Sequence, residues 1–227
     1  MAENNKKNLF LLLGITLVTQ ATTSLVGGLI GIGPFTDTGD MAAAMNSIAG
    51  NIGGVYAGMF LQIVTSIVII ALAAAFYQSG KSAGKTIAII AFGLYLTEAI
   101  VHIVGQFVIF GIAEASRQFV STGDPSLLTT AKLLFASRDF IGAVTMMPFG
   151  LGAILFYFLI TKTKVIPKWL GLWGMVTVFF ILVGWSLEAF DVVSVPFAFY
   201  VPYVPWEWVA GTYIFIKGLK MSRSHNP

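Results

Sequence analysis

Residues 85–110 read KTIAIIAFGLYLTEAIVHIVGQFVIF. Beyond Lys85 the stretch holds one carboxylate, Glu98, and one imidazole, His102, in an otherwise apolar run. A helix needs about 20 predominantly apolar residues to cross a hydrocarbon core of about 30 Å. The stretch therefore reads as a membrane span that carries two costly polar groups in its interior. At about 1.5 Å per residue, Glu98 lies roughly 20 Å beyond Lys85 and His102 roughly 25 Å.

Five further segments of similar character flank it, at 9–32, 50–77, 139–160, 169–190 and 200–219. Together they predict one all-α domain over 1–227, a polytopic bundle of six transmembrane helices. The first segment follows Lys6 and Lys7 as a signal peptide would, but its apolar run is long and no clean small-residue cleavage site follows, so it is expected to remain as a helix. The composition agrees: 57% of residues are hydrophobic, 10% are charged and the mean hydropathy is +0.86. A water-soluble fold of 227 residues cannot hide that much apolar surface.

Charge orients the spans. Ten of the 13 basic residues fall in four short stretches: Lys6 and Lys7; Lys81 and Lys85; Lys162, Lys164 and Lys168; Lys217, Lys220 and Arg223. Only Glu3 opposes them, whereas Arg117, Lys132 and Arg138 share the other side with Asp37, Asp40, Glu114, Asp124, Asp139 and Asp191. Basic loops stay in the cytoplasm, so both termini are expected there. The pI near 9.1 is then a matter of topology and anionic headgroups rather than nucleic acid. The expected surroundings are the lipid bilayer and a small ligand or ion.

Three outer connections are longer than the inner ones. Residues 33–49 contain GPFTDTGD and then enter the small-residue run AAAMNSIAG, which ends at Gly50. Residues 111–138 contain the turn Gly123-Asp124-Pro125 and then SLLTTAKLLF, an amphipathic stretch that lies at the interface or extends the fourth span. In 191–206, three prolines oppose regular helix while Phe197, Phe199, Tyr200, Tyr203 and Trp206 suit the headgroup level, as a belt or as a lid over a cavity. Gly50, Gly54 and Gly58 recur at four-residue spacing, which allows close helix packing within the chain or a homodimer face. No internal repeat is visible, which speaks against an inverted-repeat transporter.

Ionisable groups inside lipid are expensive and mark function by default. Glu207 lies 10 residues before Lys217, roughly 15 Å deep by the helix rise. Glu98 and His102 share one helix face with Tyr95 and Gln106. Thr16, Thr19, Gln20 and Thr23 stripe the first helix, and Gln62, Thr65 and Ser66 the second, so the stripes are expected to face one another. The threonines can instead satisfy their own backbone carbonyls. Glu98, His102, Arg138, Asp139, Glu207, Gln20 and Gln62 are the candidates for holding a ligand or proton. Arg138 and Glu188 fall at comparable depth near the outer boundary and could pair structurally, with Asp139 competing for the arginine.

No catalytic or cofactor signature is present: HExxH, G-x-S-x-G and Walker motifs are absent, there is no Cys, and the second histidine, His225, sits in the tail. No cofactor or metal is expected, and no lysine lies at mid-depth in the last helix to hold retinal. Three roles remain: a ligand- or ion-binding protein with a polar cavity opening outward, for transport or sensing; an intramembrane enzyme on a lipid or isoprenoid with Glu98 and His102 as acid and base; and a structural or regulatory subunit with packing polar groups only.

YLTEAI around Glu98, ASRDF around Arg138, GLGAILFYFLITKTKVIPKWLGLWGMV over 150–176 and PWEWVAGTYIFIKGLK over 205–220 resemble the DUF4386 family of bacterial multi-pass membrane proteins. The run into I-P-K-W-L-G-L-W-G is the most specific part. The resemblance implies a membrane bundle with a glutamate in the third span (Glu98), an Arg-Asp pair opening the fourth (Arg138, Asp139) and a glutamate in the last (Glu207). Its function is not implied. Where the family often carries an arginine shortly before the third-span glutamate, this chain has Tyr95, so either His102 substitutes as a partner or the glutamate is neutral.

Overall fold

The computed structural model describes residues 3–35, 39–189, 192–193, 195–196 and 199–223. Asp37, Asp191, Phe197 and His225 lie outside them. The described chain is helical: α1 (Glu3–Ile30), a 3-10 turn (Gly33–Phe35), α2 (Met41–Gly50), α3 (Ile52–Gly80), α4 (Lys85–Thr122), α5 (Ser126–Lys162), α6 (Lys168–Ala189) and α7 (Val204–Arg223). Five of these, α1 and α3 to α6, are long and apolar enough to cross a membrane. The sixth predicted span becomes α7, whose 20 residues reach about 30 Å but include Glu207, Lys217, Lys220 and Arg223, so composition alone does not mark it as spanning. It starts four residues later than expected because Pro202 and Pro205 leave residues 200–203 in turns and confine proline to the first helical turn.

The outer connections differ most from expectation. The connection 111–138 is a helical hairpin: SLLTTAKLLF extends the fourth span, one of the two expected placements, while the extension of the third span was not expected. α4 runs on to Thr122, 38 residues in all, and α5 begins at Ser126, so each exceeds the bilayer core by roughly 25 Å. Gly123 closes α4 at φ 68°, where a side chain would be strained. The Asp124 carboxylate then accepts the Ser126 N–H at 2.9 Å. The small-residue run of 33–49 forms α2, capped by Asp40, which accepts the Ala42 and Ala43 N–H groups. Met45 and Ile48 of α2 pack with Ile112, Ala131 and Phe135 to make a core of their own on the hairpin.

α2 also breaks the predicted glycine face. Gly50 ends α2 and Gly54 lies in the first turn of α3, with Asn51 between them, so the three glycines do not share one helix. Gly58 serves packing inside the chain. A Cβ there would lie 2.5 Å from the Gly31 Cα and 2.8 Å from the Gly27 carbonyl oxygen, so α1 and α3 touch backbone to backbone.

The four basic stretches gather at one end. Lys217 Nζ donates to the Lys164 and Val165 carbonyls at 2.6 and 3.0 Å, tying α7 to the turn between α5 and α6. Lys217 and Lys6 both lie over the Phe10 ring, and the α3–α4 turn packs on Leu159. Between this end and the charged residues of the other, large apolar side chains face outward: Phe60, Phe107, Phe140 and Phe179 are all more than half exposed, as lipid-facing side chains are and soluble ones rarely are.

Candidate functional site

Near the basic end the helices close on large side chains. Phe76 stacks on Phe156 at 4.9 Å, and Trp206 lies 4.0 Å from Tyr157, ring centre to ring centre. Trp206 is fully buried because Gly174 of α6 leaves room for its indole, whose Nε1 donates to the Leu170 carbonyl at 2.7 Å. Toward the other end the contacts between helices are made by glycines, and space opens. Two adjoining cavities, of about 360 and 230 Å³, share His102, Thr145, Met146 and Trp185.

The larger cavity is lined by seven glycines, four of them in 27–33 and the others Gly58, Gly105 and Gly142. A Cβ on Gly28 or Gly142 would find its nearest neighbour only at 3.8–3.9 Å, so the missing side chains there leave room. Arg138 and Asp139 line the same cavity and reach the surface. Their side chains are 28% and 69% exposed and paired at 3.2 Å. The expected alternative, an Arg138–Glu188 pair, is not made. Glu188 instead accepts the Val195 N–H at 3.0 Å and the Tyr200 hydroxyl at 2.9 Å, anchoring the chain after α6. Arg138 takes its sequence neighbour, which costs less ordering than a reach between helices.

The predicted polar stripes do meet. Thr65 Oγ1 donates to Thr23 Oγ1 at 2.7 Å and Gln62 Nε2 to the Ser24 carbonyl at 3.1 Å, joining α3 to α1. Ser66 Oγ lies 2.8 Å from His102 Nδ1, joining α3 to α4. Thr16 and Thr23 also return bonds to their own helix carbonyls. Ser66 Oγ likewise bonds the Gln62 carbonyl at 3.0 Å. When its one proton is committed there, His102 must donate from Nδ1, which leaves Nε2 as an acceptor in the space between the cavities. His102 is therefore held by Ser66 rather than by Glu98.

The smaller cavity brings Glu98 of α4, Gln20 of α1 and Glu207 of α7 together. Glu98 is 5% exposed and Glu207 8%. Glu207 Oε1 accepts the Tyr203 hydroxyl at 2.8 Å. The Tyr203 proton is thereby used, so its oxygen accepts from Tyr157 at 2.9 Å. Two hydroxyls in series point toward Glu207 and polarise one another. Glu98 has no such support: its Oε2 is buried without a hydrogen-bond partner, as is Gln62 Oε1. An unpartnered buried carboxylate costs several kcal/mol.

All seven residues proposed for a ligand or proton thus line one of two touching cavities. The sequence reading missed Trp185, Thr145 and the glycines. Their signal lay in the glycines that interrupt otherwise bulky spans at this depth, a pattern that reads equally well as close packing. It left Tyr203 in an interfacial belt or in a lid over a cavity; Tyr200 packs on Gly184, Trp173 Nε1 donates to the Pro202 carbonyl, and Tyr203 is buried. Among the described residues no group of three or more His, Cys, Asp or Glu side chains is placed to hold a metal ion.

Apolar outside, polar within and helical throughout the described residues, the molecule is a multi-pass membrane protein. The chain belongs to the family whose model is described as Domain of unknown function (DUF4386), which matches residues 12–218. No curated protein and no solved structure matches it.

Proposed function

We propose that this chain crosses a bacterial cytoplasmic membrane six times, with both termini in the cytoplasm, and binds a small ligand or ion in the joined cavity, which opens to the outside. The observation that carries the reading is convergence. Side chains from five helices, each expensive to bury, meet in space that the packing leaves unfilled. Groups kept for packing would be expected to satisfy one another, yet Glu98 Oε2 and Gln62 Oε1 are left without partners. The basic end supports the orientation by the positive-inside rule. The Phe149, Phe156, Tyr157 and Trp206 rings beneath the smaller cavity support access from the opposite side, through the mouth at Arg138 and Asp139. In this reading Glu98 or Glu207 carries a proton or neutralises a cation, and transport would follow if the aromatic floor opens.

The chain has no native cysteine, so single cysteines report water access without background. Thr145→Cys, on both cavities, is expected to react with a membrane-impermeant maleimide added outside intact cells, whereas Ala153→Cys, buried in the aromatic floor, is not. If both stay unlabelled in a folded protein, the outward cavity is wrong. A cysteine at Ser82, in the basic turn, should label only in inverted vesicles.

A further inference from the structure

The smaller cavity has a chemistry of its own. Its two carboxyl groups, Glu98 and Glu207, come from different helices, and no lysine or arginine lines it. Its walls are aromatic: Phe149, Trp185, Tyr200, Tyr203 and Trp208 come from α5, α6, the turn before α7 and α7 itself. At about 230 Å³ it falls below the 300–1,000 Å³ of pockets for drug-sized ligands, so its occupant is small.

These features select among ligands. An anion would meet two carboxyl groups with no basic side chain beside them. A bare metal ion would need three or more suitable donors together, which the described residues do not offer. A neutral apolar ligand would leave Glu98 Oε2 as it is, buried and unpartnered. A cation with an organic skin satisfies both halves of the site: its charge neutralises a carboxylate, and its methyl or methylene groups lie against ring faces, whose electron-rich quadrupole attracts positive charge. Tyr203 is already turned with its hydroxyl toward Glu207, so its ring remains as wall.

We infer that the Glu98–Glu207 cavity, with its aromatic walls and unpartnered Glu98 oxygen, binds a small organic cation of the alkylammonium class. This rests on the proposed outward cavity and names its ligand. The cation passes Arg138 while that guanidinium is paired with Asp139, and meets His102, bonded to Ser66, at the junction. The paired arginine leaves the mouth of the route without strong repulsion.

The test uses the full chain in nanodiscs, with choline as probe and 3,3-dimethylbutan-1-ol, its uncharged isostere, as control. Choline is expected to slow maleimide labelling of Thr145→Cys and to change the tryptophan emission, since Trp185 and Trp208 line the site. The isostere should do neither at the same concentration. Glu98→Gln keeps the shape and removes the charge, and should weaken choline binding by about tenfold or more. The inference is overturned if the isostere protects as well as choline, if Glu98→Gln binds choline undiminished, or if neither molecule slows labelling. In those cases Thr145→Cys still labels and the outward cavity stands. If Thr145→Cys does not label at all, the cavity reading falls and the cation site with it.

Discussion

The same helices build two different interiors. Toward the basic end α3, α5 and α7 meet through Phe76, Phe156, Tyr157 and Trp206, and the space is filled. Further along, α1, α3, α4 and α5 meet around Gly27, Gly58, Gly105 and Gly142, and the space is left open and lined with polar groups. Lipid tails are as apolar as leucine, so burial from water does not hold such helices together; contact area and hydrogen bonds do. The filled half supplies the contact, which lets the open half carry an unpartnered carboxyl group and a cavity.

The comparison can be broken first at its filled side. Trp206→Ala removes a fully buried ring and its bond to Leu170, and is expected to cost about 3–5 kcal/mol, read as a lower midpoint of thermal unfolding in detergent. Gly58→Ala tests the open half where two backbones touch. Its methyl group would sit 2.5 Å from the Gly31 Cα, backbone that cannot swing away, so a loss of about 1–3 kcal/mol is expected in the same assay. Gly142→Ala, whose methyl group meets nothing closer than Trp185 at 3.8 Å, should instead be neutral or stabilising by up to about 1 kcal/mol. Equal losses at Gly58 and Gly142 would show that the glycines are a uniform packing stripe and that the cavity is not real.

The smallest effect lies at the hairpin tip. The Ser126 backbone N–H, with the Ser126 hydroxyl, holds the exposed Asp124 carboxyl below its ordinary range. A depressed folded-state value means that this contribution is present above the unfolded value of about 3.9 and is lost as pH falls through the folded one. The protection of the Ser126 to Leu128 amides, taken as exchange relative to the intrinsic rate at each pH, should therefore fall as the pH is lowered below about 4, and should be nearly independent of pH in Asp124→Ala. A pH response unchanged in that variant would assign it to another group.

Residue by residue, the sequence was informative where a cost is local. Glu98 and Glu207 stand out because a carboxylate within an apolar span is expensive whatever surrounds it, and the lysines announce their end of the bundle in the same way. Partners are not a local property. Arg138 chose Asp139 over Glu188, and His102 chose Ser66 over Glu98, since hydrogen bonding depends on rotamers and helix rotation that no spacing specifies. Hydropathy likewise found the apolar runs but lost the extension of α4 beyond them, and left open whether SLLTTAKLLF joins the fourth span: the polar flanks of α4 and α5 pack against α2, a long-range contact.

The sequence by itself determined a membrane bundle and the set of groups that cannot face lipid, because both follow from the free energy of transferring side chains out of water. Only the tertiary structure decided that the glycines are partly contact and partly vacancy, that Tyr200 and Tyr203 turn inward, and that Glu98 is left without a partner. Those are properties of shape: they depend on how helices rotate and tilt against one another, and a one-dimensional pattern does not encode the gap between them.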